Sequence, residues 1–522
     1  MIREISRRKC LRLWLCKPEY MGRTKWENRF VLLRFRKKNY MMFLKDLKRF
    51  KMERLYDKLK AYSENDFYAF HMPGHKRNKA LLGIELPYDL DITEIDGFDD
   101  LHHANGILKE EQERAARVFG AEESHFLVNG STAGILSAVM GCTHRGDKIL
   151  VARHCHKSIY HAIYMNGLVP RYVYPEFDIS MHMNGEISKE DVAKALDAEP
   201  DIKAVVIVSP NYDGVVSDVK GIAEVAHSYR IPLIVDEAHG PHFGFHPAFP
   251  GRANDLGADV VINSLHKTLP SLTQTAILHI NGKIVNRRRI KKYLDMLQSS
   301  SPSYIFMASL DACVDFVDGK CENAFELYVE RLQKFREELK PLQHLQILRT
   351  EHYDISKVVI STANANITSP ELADRLRKEY HLEMEMTGGT YVLAMTTVAD
   401  TQEGLDRLKA ALLEIDGQLE AKTAVSGSIE ISGELPRLEQ YFTPQEAADR
   451  EEDGEAEEIP WKESEGHISL EYAYLYPPGS PVIVPGERIS REAVEFLCYY
   501  ETQNLQIEGI QTEGKIKVWK HE

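Results

Sequence analysis

From residue 124 to residue 280 the sequence alternates apolar, strand-like runs with helical stretches, and this alternation restricts the possible folds more than any other feature. The strand-like runs are His125–Val128, Ile149–Ala152, Arg171–Tyr174, Ala204–Val208, Leu233–Asp236, Val260–Ser264 and Ala276–Ile280. Helical patterns lie between most of them, for example at 131–141, 157–166, 188–198 and 219–229. The alternation predicts an α/β domain with a mostly parallel sheet. Ligands of such sheets bind at the carboxyl ends of the strands, so the residues after each run are candidates for a functional site.

The 522-residue chain is too long for one ordinary domain. We predict a basic, poorly ordered extension at 1–51, an N-terminal helix with loops at 52–106, a large domain at 107–320, a small α+β domain at 321–418, an acidic linker at 419–460 and a C-terminal module at 461–522. In the small domain we predict strands near 344–349, 356–361, 382–386 and 390–395, and helices near 369–378 and 402–415. Seven acids within 449–458 predict a solvated, loosely ordered stretch.

Composition and charge argue against several classes of protein. Hydrophobic residues make up 43% of the chain and charged residues 28%, as in ordinary globular proteins. No apolar run is long enough to predict a membrane-spanning helix. The seven cysteines form no CxxC pair, which favours a reduced cytoplasmic protein without a zinc cluster. Residues 1–52 carry a net charge of +13, so the rest carries −27, which argues against nucleic acid as the main partner.

The first two strand ends carry candidate anion-binding and ring-binding groups. Gly130, Ser131 and Thr132 follow one strand and begin a helix, and such glycine–hydroxyl turns bind phosphate. A hydroxyl that merely caps the helix is the everyday alternative. His156 precedes another helix, where its ring can stack on a planar cofactor or simply cap that helix.

The other two strand ends carry an acid and an amine. Asp236 ends the run Leu233-Ile234-Val235, and a buried acid there needs a partner, for which a pyridinium nitrogen is suitable. A structural ion pair or a metal ligand, with His239 and His242, is the alternative. Lys267 follows Ser264-Leu265-His266, and a partly desolvated lysine has a lowered pKa and attacks aldehydes. Together the four strand ends supply what is needed to hold pyridoxal 5'-phosphate (PLP).

In this combination the chain resembles the Orn/Lys/Arg decarboxylase family, the bacterial basic amino acid decarboxylases of fold-type I, in a short form without a receiver-like N-terminal domain. The matching stretches are Phe70-His71-Met72-Pro73-Gly74-His75-Lys76, Asp99-Asp100-Leu101, Asn129–Gly134, His156-Lys157-Ser158, Asp236-Glu237-Ala238-His239-Gly240, Ser264-Leu265-His266-Lys267, Ser301-Pro302-Ser303-Tyr304, Tyr476-Pro477-Pro478-Gly479 and Pro485-Gly486-Glu487. The resemblance implies an aspartate aminotransferase-like large domain with smaller α+β C-terminal domains. It also implies a homodimer or an assembly of dimers.

The resemblance assigns the catalytic roles residue by residue. Lys267 would form the Schiff base with PLP, and Asp236 would pair with the pyridine nitrogen. His156 would stack on the ring and Ala238 would pack beneath it, with His239 in the same cofactor-binding set.

The resemblance also implies a phosphate site. Ser131, Thr132, Ser264 and His266 would hold the phosphate, and Gly130 would allow its close approach. His266 or the lysine would return a proton to Cα. No metal is implied.

The implied reaction is α-decarboxylation of arginine, lysine or ornithine to the corresponding polyamine-pathway amine. Another fold-type I reaction, either aminotransfer or aldol cleavage, would use the same strand-end residues. A catalytically silent regulatory homologue is disfavoured by the intact lysine, acid and histidine, and a membrane or nucleic-acid adaptor is the remotest alternative. Candidate acids for the distal cation of the substrate are Asp91, Glu94, Asp99, Asp100 and Glu487, each of which is equally suited to a cap or a surface charge.

Overall fold

A computed structural model describes residues 53–80, 83–178, 181, 183–348, 352–422, 435–475, 480–502 and 507–520. The basic extension predicted at 1–51 lies outside the described residues, as does Tyr476–Gly479 of the predicted C-terminal motif.

Seven strands form the central sheet and position the site. The strands between residues 123 and 280 are β1 (Glu123–Leu127), β2 (Lys148–Ala152), β3 (Val169–Val173), β4 (Phe177–Asp178), β5 (Met183–Asn184), β6 (Val205–Val208), β7 (Leu233–Asp236), β8 (Val260–Asn263) and β9 (Ala276–Ile280). The sheet order is β1-β9-β8-β7-β6-β2-β3, and β4 pairs with β5 in a separate hairpin. Five strands run parallel, while β9 is antiparallel to both β8 and β1. The prediction of a mostly parallel sheet from seven apolar runs is confirmed.

Helices precede and connect these strands. They are α1 (Leu55–Ser63), α2 (Ile107–Val118), α3 (Gly130–Cys142), α4 (Lys157–Met165), α5 (Lys189–Ala198), α6 (Val219–Ser228), α7 (Leu265–Thr268) and α8 (Arg287–Leu297). Every residue of β6, β7, β8 and β9 is buried. Such strands are apolar on both faces because helices cover both sides of a parallel sheet. The parallel strands β6, β7 and β8 therefore end at one protected edge of the sheet.

After the central sheet the chain forms a four-stranded antiparallel sheet with helices. Its helices and those leading to it are α9 (Tyr304–Val317), α10 (Glu322–Glu338), α11 (Ser369–Tyr380) and α12 (Gln402–Asp416). Its strands are β10 (Gln346–Ile347), β11 (Lys357–Ser361), β12 (Met386–Thr387) and β13 (Tyr391–Met395), in the order β10-β11-β13-β12. The four predicted strands and two predicted helices are confirmed, although β12 begins at the end of the predicted run.

The remaining chain forms small sheets and two helices in its described part. The elements are β14 (Glu439–Gln440), α13 (Pro444–Glu452), β15 (Ala456–Pro460), β16 (Ala473–Leu475), β17 (Ser480–Ile483), β18 (Glu487–Arg488), α14 (Arg491–Thr502), β19 (Ile507–Glu508) and β20 (Lys515–Trp519). The prediction that 449–458 is loosely ordered is wrong. Thr443 and Glu446 form a capping box that begins α13, and β15 pairs with β20 along its length. Lys517 on β20 also forms an ion pair with Glu451, so opposite charge offsets the acids.

A buried ion pair joins the end of β2 to this C-terminal region. Arg153, just after β2, donates from its two terminal nitrogens to the two carboxylate oxygens of Glu487, at 2.6 and 2.8 Å. Arg153 also donates to the carbonyl of Val482, and Glu487 accepts from the backbone of Val484. Both charged side chains are buried, so each depends on the other for compensation.

Replacing Glu487 with glutamine is expected to lower the free energy of unfolding by about 3–5 kcal/mol, because Arg153 then remains buried without a counter-charge. The matched control is Glu439→Gln, one strand away, which removes only the exposed ion pair with Arg488. That control is expected to cost at most about 1 kcal/mol. Urea unfolding of both variants measures the difference, and equal losses would contradict the structural role given to the buried pair.

Candidate active site

A cavity of about 270 Å³ lies where β6, β7 and β8 end and where α3 and α4 begin. Six of the ten predicted site residues line it, namely Ser131, His156, Asp236, Ala238, His239 and Lys267. Of the other four, Gly130, Thr132 and His266 are chain neighbours of lining residues, and Ser264 hydrogen-bonds the lining residue Ser131. The edge of the sheet at which the cavity lies is the one that strand direction predicts.

Lys267 lies on α7, one short turn beyond β8. Its Nζ atom is 2.8 Å from Nε2 of His239. Burial lowers the pKa of Lys267, while the charges of Asp236 and Glu385 oppose that shift. A lysine with a lowered pKa is more often a neutral amine, which is the form that attacks an aldehyde.

Asp236 is the last residue of β7, and its neighbours in the sheet are β6 and β8. Its Oδ1 accepts from the backbone of Ala238 at 3.1 Å. Burial raises the pKa of Asp236, and the nearby Lys267 charge opposes the shift. A protonated ring nitrogen placed at this carboxylate would supply the cation that its ionised form needs, so the residue fits the predicted PLP.

Ser131 and Ser264 form a hydroxyl pair at the amino terminus of α3, where Ser264 Oγ donates to Ser131 Oγ at 2.9 Å. Gly130 has φ +72°, and an added Cβ there would have no atom within 4 Å. Glycine is therefore needed at this turn for its backbone conformation. Thr132 is exposed on the first turn of the helix. Two hydroxyls and a helix amino terminus are the donors that a phosphate prefers.

His266 and His156 each form a hydrogen bond with the protein backbone. Nδ1 of His266 is 2.8 Å from the carbonyl of Thr275, to which it donates, and burial lowers its pKa. His156 caps α4 by accepting from the backbone N–H of Ser158, and burial lowers the pKa of His156 to about 4. His156 is therefore a neutral ring on the cavity wall, so both interpretations of it, as a cap and as a ring in the site, agree with its position.

The cavity also contains residues that the sequence did not single out for the site. They are Ile135, His154, Asn184, Val208, Asn211, Tyr212, Asp213 and Ser480. Tyr391 donates to the carboxylate of Asp213, yet burial raises the pKa of Asp213 to about 6. A further missed residue, Lys357, begins β11, and its Nζ lies 3.0 Å from Nδ1 of His239. The only sequence signal for it was a lysine directly before the apolar run Val358-Val359-Ile360.

Four of the five acids suggested for the distal cation have protein partners instead. Asp99 caps α2, accepting from the backbone of Gly106 and Leu108, and Asp100 accepts from His102. Asp91 contacts His75, and Glu487 is the buried partner of Arg153. The suggestion that Glu487 contacts substrate is therefore wrong. One carboxylate oxygen of Glu94 is buried without a hydrogen-bond partner, and Glu94 does not line the cavity described above.

The alternative metal site at Asp236, His239 and His242 does not form. His242 contacts Thr268 and Asp354 instead. Within the described ranges, no group of three or more histidine, cysteine or acidic side chains is arranged to hold a metal ion. Likewise, no helix in the described part of the chain is long and apolar enough to cross a membrane.

Comparison with known proteins agrees with this geometry. The model of the Orn/Lys/Arg decarboxylase major domain matches residues 53–421, and that of the family's C-terminal domain matches residues 433–515. The chain is 33% identical to an arginine decarboxylase of Bacillus subtilis over 471 residues, covering 87% of this chain and 95% of the relative. An arginine decarboxylase of Bacillus anthracis is 32% identical over 487 residues, covering 89% and 97%. The fold is similar to a lysine decarboxylase of Francisella novicida, with a TM-score of 0.77, 21% identity and coverage of 90% and 81%.

Proposed function

The chain belongs to the Orn/Lys/Arg decarboxylase family, and from this premise we propose that it is an arginine decarboxylase with PLP held at Lys267. Its reaction is the α-decarboxylation of a basic amino acid. The single observation that carries the site assignment is the presence of a desolvated lysine and a buried carboxylate, Lys267 and Asp236, in one cavity.

Different residues of the cavity would bind the cofactor and transfer the proton. When bound, PLP supplies a ring that takes up the electron pair left on Cα as CO2 departs. Asp236 would keep the proton on the ring nitrogen, and His156 would contact the ring. Ser131 and Ser264 would donate to the phosphate at the start of α3. Lys267 Nζ would bind the cofactor and would supply a proton to Cα of the substrate.

The activity for which both Bacillus relatives are named supports arginine as the substrate. Both are called arginine decarboxylases and align over nearly their full length. We expect kcat/KM for arginine to exceed that for lysine and ornithine by about 100-fold or more, because a site built for a guanidinium leaves donors or acceptors unpaired with an ammonium. Chromatography of agmatine, cadaverine and putrescine from the three substrates measures this preference. A larger kcat/KM for lysine or ornithine would contradict the choice of arginine but keep the decarboxylase.

The proposal extends to assembly and location. We propose a homodimer, or an assembly of dimers, in the cytoplasm, where the product amine enters polyamine synthesis. Exposed apolar side chains near the predicted active-site loops support this assembly, because a second subunit would cover them. They are Phe67, Tyr68, Phe70 and Met72, which are 64–90% exposed. Sedimentation analysis of the full-length protein measures the assembly.

A further inference from the structure

A second cavity, of about 90 Å³, adjoins the active-site cavity. The residues that line both cavities form a neck between them, and they are His154, Asn184, Asp213 and Ser480. Lys267 lies on the wall of the first cavity, and apolar side chains such as Met386 and Phe496 line much of the second. A substrate bound beside Lys267 therefore shares its cavity with the carboxylate of Asp213.

Asp213 is a buried acid whose hydrogen bond comes from a neutral donor. The residue is 4% exposed, and the hydroxyl of Tyr391 donates to its Oδ1. Among the described residues, no lysine or arginine forms an ion pair with this carboxylate. Burial raises the pKa of Asp213 to about 6, because its ionised form has lost water without gaining a paired cation.

The basic side chains near Asp213 have other partners. Nζ of Lys357 is 3.0 Å from Nδ1 of His239, and its charge only partly opposes the effect of burial on the pKa of Asp213. Arg153 lines the second cavity, but its two terminal nitrogens donate to the carboxylate of Glu487. In the described part of the chain, Asp213 thus has no hydrogen-bonded counter-charge, and a cationic ligand at the neck would supply one.

Two other side chains of the neck have unused hydrogen-bonding atoms. Oδ1 of Asn184 and Nδ1 of His154 are both buried, and neither has a partner within the described ranges. Burial lowers the pKa of His154 to about 4, so its ring is neutral and has one acceptor nitrogen. A guanidinium spreads its N–H donors over three nitrogens in a plane, whereas an ammonium has them on a single nitrogen. Acceptors on several side chains around a carboxylate therefore suit a guanidinium better.

We propose that the neck is the subsite for the distal cation of the substrate, and that Asp213 is the counter-charge that accepts from the guanidinium of arginine. Asn184 and His154 are the additional acceptors, and Asp213 is the residue that determines specificity. The inference rests on the proposed function in taking a basic amino acid bound beside Lys267 as the substrate. It fills a role for which four of the five acids suggested by the sequence already have protein partners.

The test compares arginine with citrulline, the neutral isostere in which a urea group replaces the guanidinium. Release of CO2 by the holoenzyme gives kcat/KM for each. We expect the wild-type protein to prefer arginine by about 100-fold or more, and we expect Asp213→Asn to lower this ratio about 100-fold, because asparagine keeps the shape but not the charge. An unchanged ratio in the folded variant, or an equal fall for both substrates, would overturn the proposal.

Tyr391→Phe is the matched control, because it removes the donor to Asp213 and leaves the charge in place. We expect it to keep the wild-type ratio of arginine to citrulline. If it lowers the ratio as far as Asp213→Asn does, the carboxylate serves only to hold Tyr391 and the proposal is overturned. Should Asp213→Asn not fold, the wild-type protein decides, since equal kcat/KM for the two substrates would also overturn the proposal.

Ligand binding separates this inference from the proposed function. Calorimetry on the holoenzyme gives the Kd of agmatine and of N-carbamoylputrescine, its neutral urea analogue, without turnover. We expect the wild-type protein to bind agmatine about 100-fold more tightly and Asp213→Asn to bind both alike. That result without CO2 release from arginine would reject the decarboxylase but keep the subsite. Equal binding of the two amines by the wild-type protein would overturn the subsite even if arginine is decarboxylated.

Discussion

Lys267→Ala is expected to lower kcat by about 1000-fold or more and to abolish the absorbance band of covalently held PLP. The reason is that alanine removes the amine that binds the cofactor and returns the proton to Cα. Steady-state kinetics and the absorbance spectrum of the purified variant measure both effects.

Two control variants separate amine chemistry from charge and from folding. Lys267→Arg keeps a cation in the site but not a neutral amine, and we expect it to be as inactive as the alanine variant. Lys220→Ala removes an exposed lysine of α6 and is expected to retain full activity. Substantial turnover by Lys267→Ala, or by Lys267→Arg with an unchanged spectrum, would disprove the assignment of the cofactor lysine.

Asp236→Asn is expected to lower kcat by about 100- to 1000-fold while PLP remains bound. Asparagine has almost the shape of aspartate but cannot hold the ring nitrogen protonated, so the electron pair left by CO2 is less stabilised. The effect should fall on kcat more than on KM, because the substrate itself does not touch this carboxylate. A pyridine-nitrogen shift in ¹⁵N NMR of labelled PLP provides a readout independent of rate.

The control for the acid is Asp449→Asn, which changes an exposed carboxylate of α13 by the same chemistry. We expect it to leave kcat and KM unchanged. If Asp236→Asn were to keep wild-type kcat, or were to lose PLP altogether, the residue would have a structural role and the pairing with the ring nitrogen would be wrong.

The central sheet was predictable because its strands are buried on both faces. Runs such as Val260-Val261-Ile262 carry apolar side chains at every position, and few other folds accommodate several of them in alternation with helices. The position of the site was also predictable, because a parallel sheet brings Asp236 and Lys267 to one edge.

Residues that reach the site through tertiary contacts were not predictable. Lys357 is more than 100 residues from His239 in the sequence, and only the packing of β11 brings them together. Glu487 showed the opposite failure: an acid in a Pro-Gly loop suggested a substrate contact, but it is buried with Arg153. The helix α13 was missed because net charge outweighed the Thr443–Glu446 capping signal in our interpretation.

The most direct test of the account is the fate of the carboxyl carbon. Purified full-length protein with added PLP is incubated with arginine labelled with ¹³C at the carboxyl group, and ¹³CO2 is measured together with agmatine. We predict equal amounts of the two products, with none from Lys267→Ala. A keto acid without ¹³CO2 would indicate aminotransfer and would contradict the assignment as a decarboxylase.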